Sequence, residues 1–482
     1  MSKRLICLLL AFICAAGAHS LAEGNEAARS QYVMDIALDT QADRISETVT
    51  VTLTNNSDDV WESVWFHDYV PVVQEHANPG AYASIVLSVT DAQRGEPLSF
   101  ENDRETGLIT VTPPKPVEPG ETLSVAFVYE ADIPNASNER FQVSAFQKSD
   151  GVTYKLCQFF PMLCVWRDGE WVHHPYEFNG EAFYSECADF SATLRLPKEY
   201  VVVASGGEKH IANEDDRAVW RITAQNMRDF VIMASTEFSE PYTGTAAGHV
   251  TVNSYYATSE QSRQAQLSLQ AAINSVELFE EKFGPYPYDE LDVCITRMME
   301  FAAGIEYPGL VEIWQLQDVT RSHVRTIVSH EVAHQWFYGV VGNDQYDEAF
   351  LDEAFAFFSQ VVYMRYIDGK SKSEIADTVR VRVDSLPVDL SLDEYKEIAG
   401  DDYLDSYTVA VYRSGRAFLW EIQQVMGDEA FFEMVRQWYA DQSFKTPTID
   451  QFLEHLYAYA GRSQEITALV AKYMRRGQSA AN

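Results

Sequence analysis

Two histidines and a glutamate have the types and spacing of ligands in a catalytic metal site. His330 and His334 lie four positions apart in the run HEVAH, and Glu353 follows nineteen positions after the second histidine. Side chains four positions apart share one face of an α-helix, so both imidazoles can reach the same ion. The pattern predicts one zinc ion per chain, held by His330, His334 and Glu353, with Glu331 beside the ion and not coordinated to it.

Two consecutive helices are needed to present these side chains. Apolar residues recur at helical spacing after Ser322, which we expect to be the N-cap, and Gly339 favours a helix end. A second apolar run extends from Leu351 to Tyr366, after a break that contains Gly342. We expect this break to let the second helix turn back and present Glu353.

The ligand set predicts hydrolysis of an amide bond. Two histidines and one carboxylate leave the fourth position of a tetrahedral zinc ion open, as in catalytic zinc sites. Zinc polarises a carbonyl group and lowers the pKa of a bound water to about 7. Glu331 is then placed to act as the general base. The competing interpretation is a solvated helix face with two histidines, which the downstream glutamate disfavours.

Further motifs lie on both sides of the metal ligands. They are Phe283 to Tyr288, Leu291 to Thr296, Ala303 to Tyr307, His334 to Phe337, Leu351 to Ala354 and Val411 to Gly415. With the ligand spacing, these segments resemble the aminopeptidase N family of zinc metallopeptidases, in the gluzincin clan. The resemblance is to a short bacterial member without the C-terminal helical domain that is common in the family.

The resemblance implies roles for two more residues. Glu306 stands in the place of the glutamate of the family's Gly-x-Met-Glu-Asn exopeptidase motif, and would bind the free N-terminal ammonium of a substrate. Tyr412 stands in the place of the tyrosine of the Tyr-x-Lys-Gly motif, and would donate a hydrogen bond to the developing oxyanion. The resemblance thus implies an exopeptidase.

Several motif positions depart from the family pattern. They are Ile305 and Tyr307 for Met and Asn, Asp352 and Ala354 for Asn and Gly, and Ser414 for Lys. None is a predicted metal ligand or the predicted base. The changes beside Glu306 leave open a broader zinc peptidase or hydrolase that needs no free amino terminus. A zinc-bearing extracellular binding module without turnover is a third hypothesis, disfavoured because the base and all three ligands are present.

Residues 1–22 have the pattern of a secretory signal peptide. Lys3 and Arg4 precede an apolar run from Leu5 to about Ala18, and small residues follow. The run is short for a membrane span, which needs about 20 residues, so we favour cleavage over an uncleaved anchor. We therefore expect a secreted or periplasmic protein that is not inserted in a membrane after cleavage.

The net charge excludes some classes of partner. The formal charge is −36 at pH 7, and the predicted leader removes two basic residues and no acidic one. Such a surface repels nucleic acid and anionic lipid. Peptides are the expected partners, and the sequence does not predict an oligomeric state. Outside the leader, Cys157, Cys164, Cys187 and Cys294 are open to two interpretations, as disulfides or as buried thiols.

The chain changes character near residue 240. Period-two alternation, with Ile45, Val49, Val51 and Leu53 expected on one face and Glu47 and Thr residues on the other, recurs up to about Thr236 with Pro and Gly turns between the runs. Helical periodicity dominates afterwards. We therefore predict an α+β protein with an all-β sandwich or saddle-like domain at 23–240. A thermolysin-like, mainly α catalytic domain would follow at 241–482, with no room for a third domain.

Together these observations predict a secreted zinc metalloaminopeptidase. It would remove N-terminal residues from peptides, with Glu331 and Tyr412 as catalytic residues, Glu306 as the substrate-binding residue, and His330, His334 and Glu353 as metal ligands.

Overall fold

The computed structural model describes most of the chain after the predicted leader. The described residues are 28–77, 84–134, 144–147, 151–177, 183–296, 303–317, 319–380 and 385–479. The predicted signal peptide lies outside them, so its cleavage and the location of the protein stay predictions.

Most of the strands lie in the first half of the chain, and the last five lie between residues 242 and 314. They are β1 Ser30–Asp39, β2 Arg44–Thr54, β3 Val64–His67, β4 Ser84–Asp91, β5 Ser99–Asp103, β6 Leu108–Thr112, β7 Thr122–Asp132, β8 Ser144–Gln147, β9 Val152–Leu156, β10 Met162–Leu163, β11 Val165–Arg167, β12 Glu170–Val172, β13 Ala188–Pro197, β14 Val201–Ala204, β15 Gly207–Glu214, β16 Arg217–Met227, β17 Ile232–Ser235, β18 Tyr242–Ala246, β19 Val250–Tyr255, β20 Glu290–Thr296, β21 Gly304–Ile305 and β22 Leu310–Trp314.

Helices dominate the second half. The α-helices are α1 Tyr69–Ala77, α2 Ser262–Phe283, α3 Arg321–Ala333, α4 Phe355–Tyr366, α5 Lys372–Thr378, α6 Leu392–Ala399, α7 Tyr403–Tyr407, α8 Gly415–Met426, α9 Asp428–Gln442, α10 Ile449–Ala460, α11 Gln464–Tyr473 and α12 Arg475–Ser479. A 3₁₀ turn covers Gly400–Asp402, and π-helical turns cover Phe350–Ala354 and Thr408–Ser414.

The β region is built around a seven-stranded sheet with the order β15-β16-β13-β1-β2-β7-β4. Ile45, Val49, Val51 and Leu53 alternate along β2 and are all buried, as the period-two pattern predicts. The expectation that Glu47 lies on the opposite face is wrong: it is buried on the same face, because residues two apart along a strand share a face. Two four-stranded sheets, β10-β3-β6-β5 and β14-β17-β9-β8, and the β11-β12 hairpin complete this region.

A five-stranded sheet, with the order β18-β19-β20-β22-β21, separates two hydrophobic cores. Val293 and Ile295 on β20 belong to the core that the helices form, whereas Cys294 between them belongs to the core of the β region. Because side chains alternate along a strand, one face of the sheet supports the helices and the other contacts the β region.

Arg228, just after β16, links the β region to the segment behind α3. Its guanidinium is buried and donates hydrogen bonds to the carbonyl oxygens of Ser185, Tyr338 and Lys445. Gly342 makes room for it, since a Cβ there would come within 2.2 Å of the guanidinium carbon. The turn that follows the HEVAH helix is thus held by a side chain from the β region.

The α+β fold class is confirmed, with strands first and a mainly helical region after them. The domain boundary near residue 240 stays a prediction; the structure places β17 and β18 on either side of it. Cys157, Cys164, Cys187 and Cys294 are buried free thiols, which decides between the two interpretations of these residues. Among the described residues, no helix combines the length and apolarity needed to cross a membrane.

The expected N-cap at Ser322 is wrong. Helix α3 begins at Arg321, and Thr320 caps it in an extended conformation. The Thr320 hydroxyl accepts a hydrogen bond from the backbone N–H of His323 at 3.2 Å. Both residues are good N-caps by type, and the extended backbone at Thr320 decides between them.

Candidate active site

The three predicted metal ligands converge at the end of α3. His330 lies in its last turn, His334 is the C-cap residue, and Glu353 lies in the π-helical turn before α4. Glu353 Oε2 is 3.4 Å from His330 Nε2 and 3.5 Å from His334 Nε2, and the two Nε2 atoms are 3.3 Å apart.

These separations fit a tetrahedral zinc ion. Ligand bonds of roughly 2.0–2.1 Å in a tetrahedron place neighbouring ligand atoms about 3.4 Å apart. Glu353 Oε2 is buried and has no hydrogen-bond donor among the described residues. A buried carboxylate oxygen without a donor is costly unless a cation or proton binds it. The donor set of two imidazoles and one carboxylate therefore suits zinc in both chemistry and spacing.

The second nitrogen of His334 is held by the protein. Nδ1 lies 3.1 Å from the carbonyl oxygen of Phe337 and 3.0 Å from Asp352 Oδ1. Such contacts fix the tautomer and the ring orientation, so that Nε2 faces the metal position. Burial alone would lower the pKa of His334, but the carboxylates of Glu306, Asp352 and Glu353 raise it well above its usual value.

Glu306 and Glu331 stand next to the ligands. Ligand atoms of Glu306, Glu331 and His334 all lie within 4.8 Å of one another, and all three residues are buried. Glu306 follows directly after the short strand β21. Glu331 lies on α3 beside His330, outside the group formed by His330, His334 and Glu353.

Tyr412 reaches the site from a second π-helical turn. Its hydroxyl donates a hydrogen bond to Glu353 Oε1 at 2.5 Å, and its ring centroid is 6.3 Å from that of His330. Both Tyr412 and Glu353 therefore lie on π-helical turns, which occur frequently at functional sites. The structure thus brings all six predicted site residues together, and their roles stay predictions.

Two neighbouring residues were not predicted. Asp229 is buried, and burial raises its pKa to about 6, with the charge of Glu306 contributing. The Gln158 side chain donates a hydrogen bond to Asp229, and Gln158 is a buried residue with a left-handed φ of 45°. Strained backbone at a non-glycine residue is typical of functional sites. No local pattern marks either residue, because only the tertiary fold brings them to Glu306.

The site is rich in negative charge. Glu306, Glu331, Asp352 and Glu353 surround the two histidines, and Asp229 lies beyond Glu306. Carboxylates this close to one another disfavour ionisation unless cations neutralise them. The electrostatics therefore favour the binding of positive charge at this site.

Comparisons with known proteins find related chains and folds. Residues 267–473 match the peptidase family M1 domain. The chain is 26% identical over 292 residues to aminopeptidase M1-B of Oryza sativa subsp. japonica, covering 55% of this chain and 32% of that protein. It is 34% identical over 120 residues to endoplasmic reticulum aminopeptidase 1 of Mus musculus, covering 23% and 13%. The matched part is thus at most about a third of these relatives.

Two solved structures have the same fold. An M1 zinc metallopeptidase from Deinococcus radiodurans, a mutant bound to a Tyr-Ser-Ala substrate, superposes with a TM-score of 0.66 at 16% identity, covering 93% of this chain and 94% of that chain. A two-domain M1 zinc metallopeptidase mutant bound to L-arginine gives a TM-score of 0.68 at 14% identity, covering 92% and 94%. The fold is therefore that of M1 metallopeptidases.

Proposed function

Because residues 267–473 match the peptidase family M1 domain, we propose that the protein is a zinc-dependent aminopeptidase that removes N-terminal residues from peptides. The observation that carries the proposal is the proximity of Glu306, Glu331 and His334, within 4.8 Å. It places a carboxylate suited to an ammonium group beside a carboxylate suited to act as a base.

His330, His334 and Glu353 would hold the zinc ion. When bound there, zinc would supply an electrophile that polarises the scissile carbonyl and lowers the pKa of water. Glu331 takes the proton of the attacking water and passes it to the leaving amine. Its burial keeps bulk water from competing for that proton.

Glu306 binds the N-terminal ammonium of the substrate. This contact fixes the distance between the amino terminus and the reacting carbonyl, so one residue is removed at a time. Tyr412 exchanges its hydrogen bond to Glu353 for one to the carbonyl oxygen as negative charge develops there. A donor that binds most strongly in the transition state raises kcat and leaves KM little changed.

Unblocked and acetylated peptides test the proposal. The zinc-loaded protein should release amino acids from unblocked peptides, and Glu331→Gln should reduce kcat by about 10²–10⁴-fold, the usual contribution of a general base. Acetylation of the amino terminus should remove most of the turnover of the wild-type enzyme, because Glu306 then has no ammonium to bind. Equal activity in wild type and Glu331→Gln would refute the assignment.

A broader peptidase is the second candidate function. Ile305 and Tyr307 flank Glu306 and depart from the family motif, and both are buried. If the site does not require a free amino terminus, blocked and unblocked peptides should be cleaved at similar rates. Glu306→Gln should then have little effect on either substrate.

We also propose that the enzyme is exported by its N-terminal segment and acts outside the cytoplasm. The support is the charged and apolar pattern of residues 1–22. N-terminal sequencing of the protein from its native host would show whether the mature chain begins after Ala18 or Ala22. Recovery of the intact N-terminus in the cytosol would contradict export.

A further inference from the structure

A second group of acidic side chains lies away from the active site, where the β region meets the five-stranded sheet. Glu208 projects from β15, and Glu290 and Asp292 project from β20. One oxygen from each carboxylate lies within 4.8 Å of the other two. The group therefore spans both regions of the protein.

Two oxygens of this group are buried without a donor. Asp292 is 0% exposed, and its Oδ1 accepts a hydrogen bond from Asn253 Nδ2 at 3.0 Å. Its Oδ2 has no hydrogen-bond partner among the described residues, and Glu208 Oε2 is in the same situation. Buried polar atoms in native proteins are nearly always paired, so unpaired oxygens that meet in one place indicate a missing ligand.

Positive charge would relieve the repulsion among these carboxylates. Burial, followed by the like charges of Glu208 and Glu290, raises the pKa of Asp292 well above its usual value. Burial and the charge of Glu290 raise the pKa of Glu208 to about 8. Within the described part of the chain, no lysine or arginine forms an ion pair with any of the three carboxylates. The buried ammonium of Lys155, on the same side of the sheet, is held by Glu312 at 2.7 Å.

We propose that Glu208, Glu290 and Asp292 bind a calcium ion that joins the β region to the catalytic sheet. The candidate ligands are all carboxylate oxygens, which suit a hard cation, whereas zinc sites in proteins usually include nitrogen or sulfur ligands. Calcium accepts flexible geometry and carboxylates in one- or two-oxygen coordination, and magnesium requires a stricter octahedron. Glu208 and Glu290 are partly exposed, which leaves access for the ion and its waters.

The position of the site gives the ion a structural role. The turn before β15 packs closely on the turn before β22, since a Cβ on Gly309 would lie 3.4 Å from the backbone nitrogen of Gly206. Without a cation, three carboxylates repel one another across this contact. With calcium bound, the same carboxylates hold the two regions together.

Calcium titration of the zinc-loaded protein tests the site. Isothermal calorimetry in calcium-free buffer with trace zinc should detect one saturable calcium site per chain, and magnesium should bind more weakly. Saturating calcium should raise the thermal unfolding midpoint by several degrees relative to potassium chloride of equal ionic strength, because a ligand specific for the folded state stabilises it.

Two variants and a control locate the site. Asp292→Asn and Glu208→Gln should each abolish the calorimetric site and the calcium-dependent shift, and Glu208→Gln should raise the calcium-free midpoint by relieving repulsion. Glu199→Gln removes an exposed acid outside the group and should respond to calcium as wild type does. If Asp292→Asn does not fold, the calcium response of Glu208→Gln alone tests the site.

Other outcomes would overturn the proposal. An equal calcium response in wild type and Glu208→Gln would indicate unspecific binding to the acidic surface. No calcium response, with stabilisation at acidic pH that Glu208→Gln removes, would indicate that the carboxylates share protons. Binding and unfolding are measured without hydrolysis, so failure of the calcium site and failure of the aminopeptidase assignment are distinguishable.

Discussion

The backbone of Gly304 lies against the side chain of Glu331, so that a Cβ on Gly304 would come within 2.3 Å of Glu331 Oε1. The same Cβ would lie 2.4 Å from the Glu331 Cγ and Cδ atoms. The strand that leads to Glu306 therefore also forms one wall around the proposed base. Only glycine leaves the base in its place.

We predict that Gly304→Ala moves Glu331 away from the attacking water. The expected result is a loss of kcat of about 10²-fold, at the lower end of the contribution of a general base, with a smaller change in zinc affinity. Steady-state kinetics on an unblocked aminoacyl reporter would measure it. Gly207→Ala is the matched control, since a Cβ there meets no atom within 4 Å. Equal activity of both variants would show that Glu331 tolerates the displacement.

Removal of the Tyr412 hydroxyl separates two possible roles. If the hydroxyl stabilises the transition state, Tyr412→Phe should lower kcat by about 10²–10³-fold and leave KM and zinc affinity unchanged. If it acts mainly by holding Glu353, to which it donates a hydrogen bond, zinc affinity should fall instead. Steady-state kinetics and zinc competition on the same preparation distinguish these two roles. Tyr459→Phe is the control, because the Tyr459 ring is exposed.

Asp352 should increase the zinc affinity of the site by orienting His334. Loss of a carboxylate that orients a metal-bound histidine typically costs about 10–100-fold in metal affinity. We expect Asp352→Ala to lower zinc affinity by about tenfold, the smaller end of this range, because the carbonyl oxygen of Phe337 remains as an acceptor for His334 Nδ1. Asp352→Asn should lose less zinc affinity than Asp352→Ala, since the amide oxygen of asparagine can still accept a hydrogen bond from His334 Nδ1. Competition with a chromophoric chelator would measure the affinities, and equal zinc affinity in wild type and Asp352→Ala would contradict the prediction.

Asp68 should make stability depend on pH. It is buried, and burial raises its pKa to about 6 despite hydrogen bonds from Tyr129 and Ser84. A raised folded-state pKa means that the folded protein holds the proton more tightly. The contribution of Asp68 is therefore fully present below about pH 4 and is lost as the pH rises through about 6. A shift of about two units corresponds to about 3 kcal/mol.

Comparison with Asp68→Asn isolates this contribution. Glu47 is buried beside Asp68 and also titrates with a raised pKa, so the wild-type profile contains more than one group. The free energy of unfolding of wild type and of Asp68→Asn is measured by urea titration at pH 4 and pH 7. The difference between the two proteins removes the contribution of groups that titrate independently of Asp68. We expect wild type to lose more stability than the variant between these pH values. Parallel profiles would mean that folding does not raise the pKa of Asp68.

The metal site was predictable because its pattern is local. Residues four apart on one helix share a face whatever the rest of the fold does, and this fixed His330 and His334 as a pair. The alternation in β2 likewise identified its buried face. Glu306 and Tyr412 could be predicted only from the resemblance to a family, because no local spacing connects them to the histidines.

Other features depend on contacts that no periodicity encodes. The π-helical turns at Glu353 and Tyr412 are not encoded by a regular 3.6-residue pattern. Asp229 approaches Glu306, and Gln158 approaches Asp229, only in the tertiary fold. The predicted N-cap was wrong because the choice between Thr320 and Ser322 depends on where the chain leaves its extended path.

The three hydrogen bonds of Arg228 limit how the β half and the helical half of this protein can be separated. Two of its acceptors, the carbonyl groups of Tyr338 and Lys445, belong to the helical half, yet their donor belongs to the β half. A chimera that grafts a foreign β half onto this helical half would therefore have to supply an equivalent guanidinium, or leave the Tyr338 carbonyl without that donor behind the metal-binding helix. Recombination between relatives should succeed only where both parents have an arginine at the position of Arg228 and a glycine at the position of Gly342.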